Sequence, residues 1–147
     1  MSPSEILWEI EAIRRLKARY FRLLDTRDWA NWTLVFTRDC EFRPTPDPEQ
    51  VIVGRDEFVT FVRKGITPGI SVHHGHMPEI TLQTSDTATG IWAMYDYVEA
   101  RPSASAPMWL QGFGHYHETY RKEADGEWRI SSLRLTRLRV DTRSHLT

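Results

Sequence analysis

The sequence has few of the features that mark several large classes of protein. It contains one cysteine, Cys40, so it cannot form an internal disulfide, and it has no CxxC or Cys/His zinc motif. Its 19 basic and 20 acidic residues give a net charge of -1, which disfavours a sequence-independent nucleic-acid binder. Acids and arginines interrupt the N-terminal segment MSPSEILWEIEAIRR, so neither a signal peptide nor a membrane span is expected. We therefore predict a cytoplasmic protein with no nucleic-acid or membrane partner.

What the sequence does contain is many aromatic side chains. Six Trp, five Tyr and six Phe make up 12% of the 147 residues, which is more bulk than the core of one small domain needs. The length is that of a single domain over residues 1–147. Part of this aromatic surface is therefore predicted to line a cavity for an apolar ligand.

The first half of the chain has the pattern of three helices. Ser2, Pro3 and Glu5 form a helix start, and apolar residues spaced three and four apart predict that this helix reaches Asp25. The other predicted elements of this half are a short helix over Asp28–Phe36, two short strands within residues 40–53, and a helix over Asp56–Arg63 that ends at Gly65.

In the second half the apolar pattern changes to a period of two. Four segments rich in aromatic and β-branched residues are predicted strands, and the second and third are joined by a loop over residues 102–107. These strands are Met77–Gln83, Thr87–Arg101, Met108–Lys122 and Glu127–Val140. Three of them are longer than a small sheet needs, so bulges and strong curvature are expected. Helices followed by a long antiparallel meander predict an α+β fold.

A cluster of histidines at His73, His74 and His76 is the first candidate for proton transfer. Adjacent histidines on an extended segment point to opposite sides, which disfavours a metal site, and we predict no bound metal. The alternative is that they occupy a polar loop before a strand. Asp25 is either an ordinary acid at a helix end or holds one ring nitrogen of a histidine, leaving the other nitrogen free to accept a proton.

Three further residues are candidates for a site. Tyr20 lies five residues before Asp25, about 140° around the helix, so it either borders the same cavity or is a core tyrosine. Asp96 and Arg137 each interrupt an apolar strand face. A cross-strand ion pair explains both without any function, and at a pocket wall Arg137 could also hold a carboxylate or a developing oxyanion.

Four motifs, in this order and spacing, resemble one known family. They are YFRxLD at residues 20–25, ISxHxGHxPEI at 70–80, TATGIW at 87–92 and DGEWRI at 125–130. Over nearly its whole length the chain resembles the SnoaL-like branch of the nuclear-transport-factor-2-like superfamily. Within that branch it is most similar to bacterial bile-acid 7α-dehydratases, and more distantly to scytalone dehydratases and hexachlorocyclohexane dehydrochlorinases. The resemblance implies an α+β cone, with three helices packed inside a strongly curved, mixed antiparallel sheet around a cavity.

The resemblance also implies roles for individual residues. The catalytic tyrosine, aspartate and histidine of the dehydratase fall on Tyr20, Asp25 and His73, and its strand aspartate and arginine fall on Asp96 and Arg137. The implied reaction is an elimination in which Asp25 orients His73 and holds positive charge on it. His73 removes a proton from carbon, and Tyr20 donates to the departing hydroxyl or to an activating carbonyl.

Two positions qualify this assignment, and one further residue is added to it. A pocket tyrosine of the family falls on about Pro44, which cannot donate a hydrogen bond, so the substrate or the reaction can differ. Alignment with scytalone dehydratases could select His74 instead of His73. Trp92 is assigned, together with Tyr20, to the cavity wall as a substrate-binding residue.

The partners implied are a small ligand and further copies of the chain. The ligand is apolar and cyclic, such as a steroid-like or aromatic compound, and neither a metal nor an organic cofactor is expected. A homodimer or homotrimer through the outer sheet face is implied as well. Two alternatives remain on the same fold: an enzyme that moves a proton like a ketosteroid isomerase, and a non-catalytic module that binds a small ligand.

Overall fold

The computed structural model describes residues 1–66, 69–103 and 106–144, which form three helices and one six-stranded sheet. The helices are α1 (Pro3–Asp25), α2 (Trp29–Thr33) and α3 (Arg55–Ile66), and the strands are β1 (Phe36–Arg43), β2 (Ile52–Val53), β3 (Ser71–Leu82), β4 (Thr87–Ser103), β5 (Ala106–Lys122) and β6 (Trp128–Ser144). The three described helices precede the four long strands β3 to β6 along the chain, so the predicted α+β class is confirmed.

The sheet is mixed, curved and unclosed. Its strand order is β2-β1-β6-β5-β4-β3, in which β1 and β6 run parallel and the other described neighbours run antiparallel. The register shifts between His76 and Glu79 in β3, and between Phe113 and Gly114 in β5. Such bulges bend a strand and increase its twist, which accounts for the strong curvature that the lengths of the strands predict.

Helix α1 begins and ends where the sequence predicts. The Ser2 hydroxyl accepts a hydrogen bond from the Glu5 amide at 3.3 Å, and the Glu5 carboxylate accepts one from the Ser2 amide at 2.6 Å. This capping box satisfies amide groups that have no partner inside the helix. The buried stripe of the helix faces the sheet and consists of Ile13, Leu16, Lys17, Tyr20, Leu23 and Leu24. Asp25 is the last residue of this helix and is partly buried at the edge of the interior.

Helix α2 is shorter than the predicted helix over Asp28–Phe36. The Asp28 side chain caps its start by accepting from the Asn31 amide at 3.2 Å. After Thr33 the chain turns into the sheet, because the Ile130 amide donates to the Val35 carbonyl at 2.9 Å and Phe36 pairs with Ile130. Pairing with the distant strand β6 therefore replaces the last helical turn.

Strand β3 begins six residues before the predicted start at Met77. Ser71 pairs with Val98 of β4, and the buried positions Ser71 and His73 are polar. The first half of this strand therefore lacks apolar alternation, and for that reason its start could not be predicted from the sequence.

The remaining predicted boundaries differ by a few residues. Helix α3 starts at Arg55 and continues through Gly65 to Ile66, and β6 continues to Ser144. The predicted loop over residues 102–107 is narrower, since β4 and β5 extend to Ser103 and Ala106; residues 104 and 105 lie outside the described residues.

The core lies between the three helices and the concave face of the sheet. Trp32, Phe36 and Phe58 are almost fully buried, with ring centroids 4.9 Å apart for Trp32 and Phe36 and 5.0 Å apart for Phe36 and Phe58. Part of the aromatic content thus fills a core beside the cavity. Within the described part of the chain, no helix has the length and apolar character needed to cross a bilayer.

Candidate active site

A cavity of about 410 Å³ lies between α1, α3 and the concave face of the sheet. Its wall is mainly apolar, and its volume falls in the range of about 300 to 1,000 Å³ that is typical of small-molecule sites. Five of the residues that line it carry polar groups: Tyr20, His73, Asp96, Tyr116 and Arg137. Four of these five are residues that the sequence predicts for the site, and Tyr116 is not.

Asp25 and His73 are in direct contact beside this cavity. Nδ1 of His73 lies 2.7 Å from Oδ1 of Asp25, and the backbone amide of His73 donates to Oδ2 at 2.8 Å. The side chains are 22% exposed for Asp25 and 9% exposed for His73. Because a carboxylate only accepts hydrogen bonds, this contact places the proton of the neutral imidazole on Nδ1 and leaves the Nε2 lone pair free.

The alternation of strand β3 separates the histidines. His73 faces the interior and pairs across the strand with Asp96, whereas His74 is exposed on the outer face, with its ring centroid 6.1 Å from that of Tyr95. The orientation of the strand thus favours His73 over His74 as the cavity histidine. Across residues 1–66, 69–103 and 106–144, no three His, Cys, Asp or Glu side chains are grouped so that they could hold a metal ion.

Ser71 and Arg27 form a chain of hydrogen bonds that holds the carboxylate of Asp25 in place. The Ser71 hydroxyl donates to Oδ1 of Asp25 at 2.9 Å and accepts from Nη1 of Arg27 at 2.6 Å. Nη2 of Arg27 donates to the Gly69 carbonyl at 2.5 Å, and Arg27 has a positive φ of 62°. A left-handed backbone is unfavourable for arginine, so these bonds hold the turn that follows α1. The sequence contains no pattern that identifies this support.

Tyr20 and Tyr116 form the part of the wall contributed by α1 and β5. Their ring centroids are 6.1 Å apart, and both residues are buried. Burial raises the pKa of Tyr20 well above its usual value, and the negative charges of Glu118, Asp96 and Asp25 raise it further. Burial likewise raises the pKa of Tyr116. Both phenols therefore stay protonated near neutral pH and can act as hydrogen-bond donors.

Asp96 and Arg137 form the cross-strand ion pair that is one of the two interpretations of the sequence. Nη1 and Nη2 of Arg137 donate to Oδ1 and Oδ2 of Asp96 at 2.6 and 2.8 Å. The pair lies over Gly112 of β5, where an added Cβ would be 2.0 Å from Nη1 of Arg137 and 2.6 Å from Oδ1 of Asp96. Glycine at this position provides the space that the paired side chains occupy.

We expect Gly112→Ala to have only a small effect on the urea concentration of unfolding. The flexible end of Arg137 can shift away from the new methyl group and still keep one hydrogen bond to Asp96, so the buried carboxylate retains its counter-charge. At Gly114 an added Cβ would instead be 1.9 Å from the backbone carbonyl of Thr136, so Gly114→Ala should lower the free energy of unfolding by about 1 to 3 kcal/mol more. Urea unfolding measures both variants, and equal losses would contradict this explanation.

Trp92 does not line the cavity, contrary to the assignment made from the sequence. Its Nε1 donates to the Tyr120 hydroxyl at 2.8 Å, and Tyr120 donates to the buried carboxylate of Glu118. Glu118 forms an ion pair with Lys17, and neither side chain is exposed. Trp92 therefore belongs to a buried polar network behind Tyr20, because its indole nitrogen needs an acceptor in the interior.

Pro44, the position that corresponds to a pocket tyrosine in the resemblance, lines the cavity. It offers no hydrogen-bond donor there. The hydroxyl groups of the described cavity wall come from Tyr20 and Tyr116, on α1 and β5.

The chain is similar to known proteins over most of its length. A family model described as a SnoaL-like domain matches residues 5–134. A protein of Gibberella zeae described as a probable cyclase is 27% identical over 135 residues, which cover 86% of this chain and 89% of that protein.

Solved structures show the same fold. A candidate scytalone dehydratase from Novosphingobium aromaticivorans superposes with a TM-score of 0.80 at 19% identity, covering 95% of this chain and 91% of the other. A hexachlorocyclohexane dehydrochlorinase from Novosphingobium barchaimii gives a TM-score of 0.77 at 15% identity, covering 99% and 97%.

Proposed function

Because the chain belongs to the SnoaL-like domain family, we propose that it is a cofactor-independent lyase. It eliminates water, or a comparable small leaving group, from an apolar cyclic substrate. The observation that supports this most directly is the 2.7 Å contact between Asp25 and Nδ1 of His73 at the wall of a mainly apolar cavity. An imidazole held in this way is a suitable general base for a carbon acid.

In the proposed reaction, Nε2 of His73 removes a proton from a ring carbon of the substrate. The electron pair of that C–H bond forms the new double bond, and the bond between the neighbouring carbon and the leaving oxygen breaks. Asp25 stabilises the positive charge that develops on the imidazole. The hydrogen bonds from Ser71 and from the His73 amide keep the carboxylate in place during this step.

Tyr20 donates its phenolic proton to the departing hydroxyl, which leaves as water. Its raised pKa keeps the hydroxyl protonated until the leaving group develops negative charge. The proton taken up by His73 then returns to the phenolate, so that the enzyme is unchanged and the substrate has lost one water. Tyr116, which lies beside Tyr20 in the wall, supplies a second donor.

Asp96 and Arg137 position the substrate in this proposal. Two of the five N–H groups of Arg137 are bound to Asp96, and others remain free for a substrate oxygen. The names of the fold relatives, a candidate scytalone dehydratase and a dehydrochlorinase, are consistent with elimination chemistry in a cavity of this kind.

A ring closure is the second candidate reaction, because the relative from Gibberella zeae is described as a probable cyclase. Removal of a proton from carbon by His73 would also start such a reaction, in which the carbanion attacks a carbonyl of the same molecule. His73 would again be the base, and Tyr20 would donate its proton to the carbonyl oxygen as that oxygen becomes a hydroxyl; the proton on His73 would then return to the phenolate.

Location in the cytoplasm and assembly into a homodimer or homotrimer stay predictions. The outer face of the sheet exposes Ile91 and Phe113 to 38% and 39%, and apolar side chains at such a face are typical of contacts between subunits.

The test is a screen of steroids and phenolic polycycles that carry a hydroxyl group next to an acidic carbon. Binding is measured first, and each bound compound is then incubated with the protein and analysed by mass spectrometry. Loss of the mass of water supports the lyase. A product of unchanged mass indicates an isomerase or a cyclase, and binding without any product indicates a binding module, so either result contradicts the proposal.

A further inference from the structure

We propose that this cavity selects uncharged ligands, and that Asp96 is the specificity-determining residue because it keeps Arg137 occupied. The inference rests on the proposed function in one respect only, which is that it takes the cavity as the ligand site. It narrows the ligand class from apolar cyclic compounds to neutral ones that carry a carbonyl or hydroxyl oxygen.

Arg137 is the one arginine or lysine among the described side chains that line the cavity, and it is already paired. Both of its terminal nitrogens donate to Asp96. A planar guanidinium bound through two parallel hydrogen bonds is the strongest form of this contact. A ligand carboxylate would therefore have to compete with a protein carboxylate for the same cation.

The other basic groups next to the cavity already have partners. Lys17 is paired with Glu118, and Arg27 donates to the Ser71 hydroxyl and to backbone carbonyls. His73 contacts the carboxylate of Asp25. The charges around the ligand thus balance within the protein, and none of these groups offers a cation that is free for an anion.

Displacing Asp96 would be unfavourable because its surroundings are closed. Its side chain is 5% exposed, and without Arg137 it would be a buried carboxylate with no counter-charge. Gly112 fixes the geometry further, since the space above its Cα is filled by the paired groups. The ion pair is therefore a fixed part of the cavity wall, and an incoming anion does not separate Asp96 from Arg137.

An uncharged oxygen can still be recognised. The guanidinium retains N–H groups that Asp96 does not use, and Tyr20 and Tyr116 supply protonated hydroxyls. A carbonyl or hydroxyl group can accept from these donors without breaking the ion pair. The apolar remainder of the wall then contacts the ring system of the ligand.

The experiment compares two probes of matched shape, fluorenone carboxamide and fluorenone carboxylate, by isothermal titration calorimetry at neutral pH. The wild-type protein is expected to bind the carboxamide at least about tenfold more tightly. In Asp96→Asn the released guanidinium should improve carboxylate binding, relative to carboxamide binding by the same variant, by about tenfold or more. In Asp96→Asn/Arg137→Gln this gain should disappear, because no cation remains.

Equal affinity of the wild type for the two probes would overturn the proposal without the use of any variant. So would a carboxylate affinity that does not change relative to the carboxamide affinity in Asp96→Asn, or a gain that persists in the double variant, with thermal melts confirming that each variant is folded. The result is separate from turnover. A wild type that prefers the carboxamide but transforms no compound of the screen contradicts the lyase and not the charge selection, and turnover with equal affinities contradicts only the charge selection.

Discussion

Replacing His73 by glutamine should lower kcat about a thousandfold while leaving ligand affinity within about threefold of the wild type. Glutamine is polar, can hydrogen bond to Asp25 and fills a similar volume, so the wall should keep its shape. Its amide cannot take a proton from carbon, however, and a positioned general base contributes about 10² to 10⁴ to a rate. Steady-state kinetics on the substrate identified by the screen measures kcat, and calorimetry with the same compound measures binding.

The neighbouring histidine provides a matched control for this experiment. His74 has the same side chain on the same strand but is exposed on the outer face, so His74→Gln should keep wild-type kcat. Wild-type turnover in His73→Gln would show that His73 is not the base. Equal losses in the two variants would show that a glutamine anywhere in this strand disturbs the site.

The parts of the site that depend on local sequence signals could be predicted. The capping box at Ser2 and the apolar stripe of α1 determine where that helix starts and which residues face inward, and so they place Tyr20 and Asp25. Strand alternation explains why Asp96 lies on the inner face of β4. These signals act over a few residues and need no knowledge of the tertiary fold.

The remaining parts depend on which distant segments meet. Ser71 binds Arg27, which is 44 positions away in the chain, and Asp25, which is 46 positions away. The polar start of β3, which contains Ser71, has no apolar pattern to mark it as a strand. Trp92 faces inward as alternation predicts, yet the curvature of the sheet and the acceptor offered by Tyr120 place its indole outside the cavity wall. Periodicity identifies the face of a strand but not the neighbour that a side chain meets on that face.

The pair formed by Lys17 and Glu118 is another contact that the sequence does not reveal. Both side chains are completely buried, and Nζ of Lys17 lies 3.8 Å from the ring centroids of both Tyr20 and Tyr116. Burial lowers the pKa of Lys17, and the charge of Glu118 opposes that decrease. Removing one partner of such a pair leaves an uncompensated charge in the interior, which is far more unfavourable than removing both.

Lys17→Met should therefore lower the free energy of unfolding by about 3 to 5 kcal/mol at neutral pH. Lys17→Met/Glu118→Gln should recover most of this loss, because it removes both charges and keeps an oxygen that can accept from Tyr120. Urea unfolding measures the variants as a double-mutant cycle. The exposed pair of Arg15 and Glu11 on the same helix is the control, with Arg15→Met expected to cost less than about 1 kcal/mol.

The dependence of these losses on pH identifies their cause. In Lys17→Met the buried carboxylate of Glu118 can become neutral by taking up a proton, so the folded state binds more protons than the unfolded state and gains stability as the pH is lowered. The loss should thus be largest at neutral pH and smaller at acid pH, whereas a loss of packing would be the same at both. If the single and double variants were equally destabilised at every pH, the contribution of Lys17 would come from its methylene groups against the tyrosine rings. A recovery of stability in the double variant would instead show that folding does not require the two charges. Because Lys17 contacts the rings of Tyr20 and Tyr116 in the cavity wall, kcat of the double variant would then show whether the charges act on the reaction.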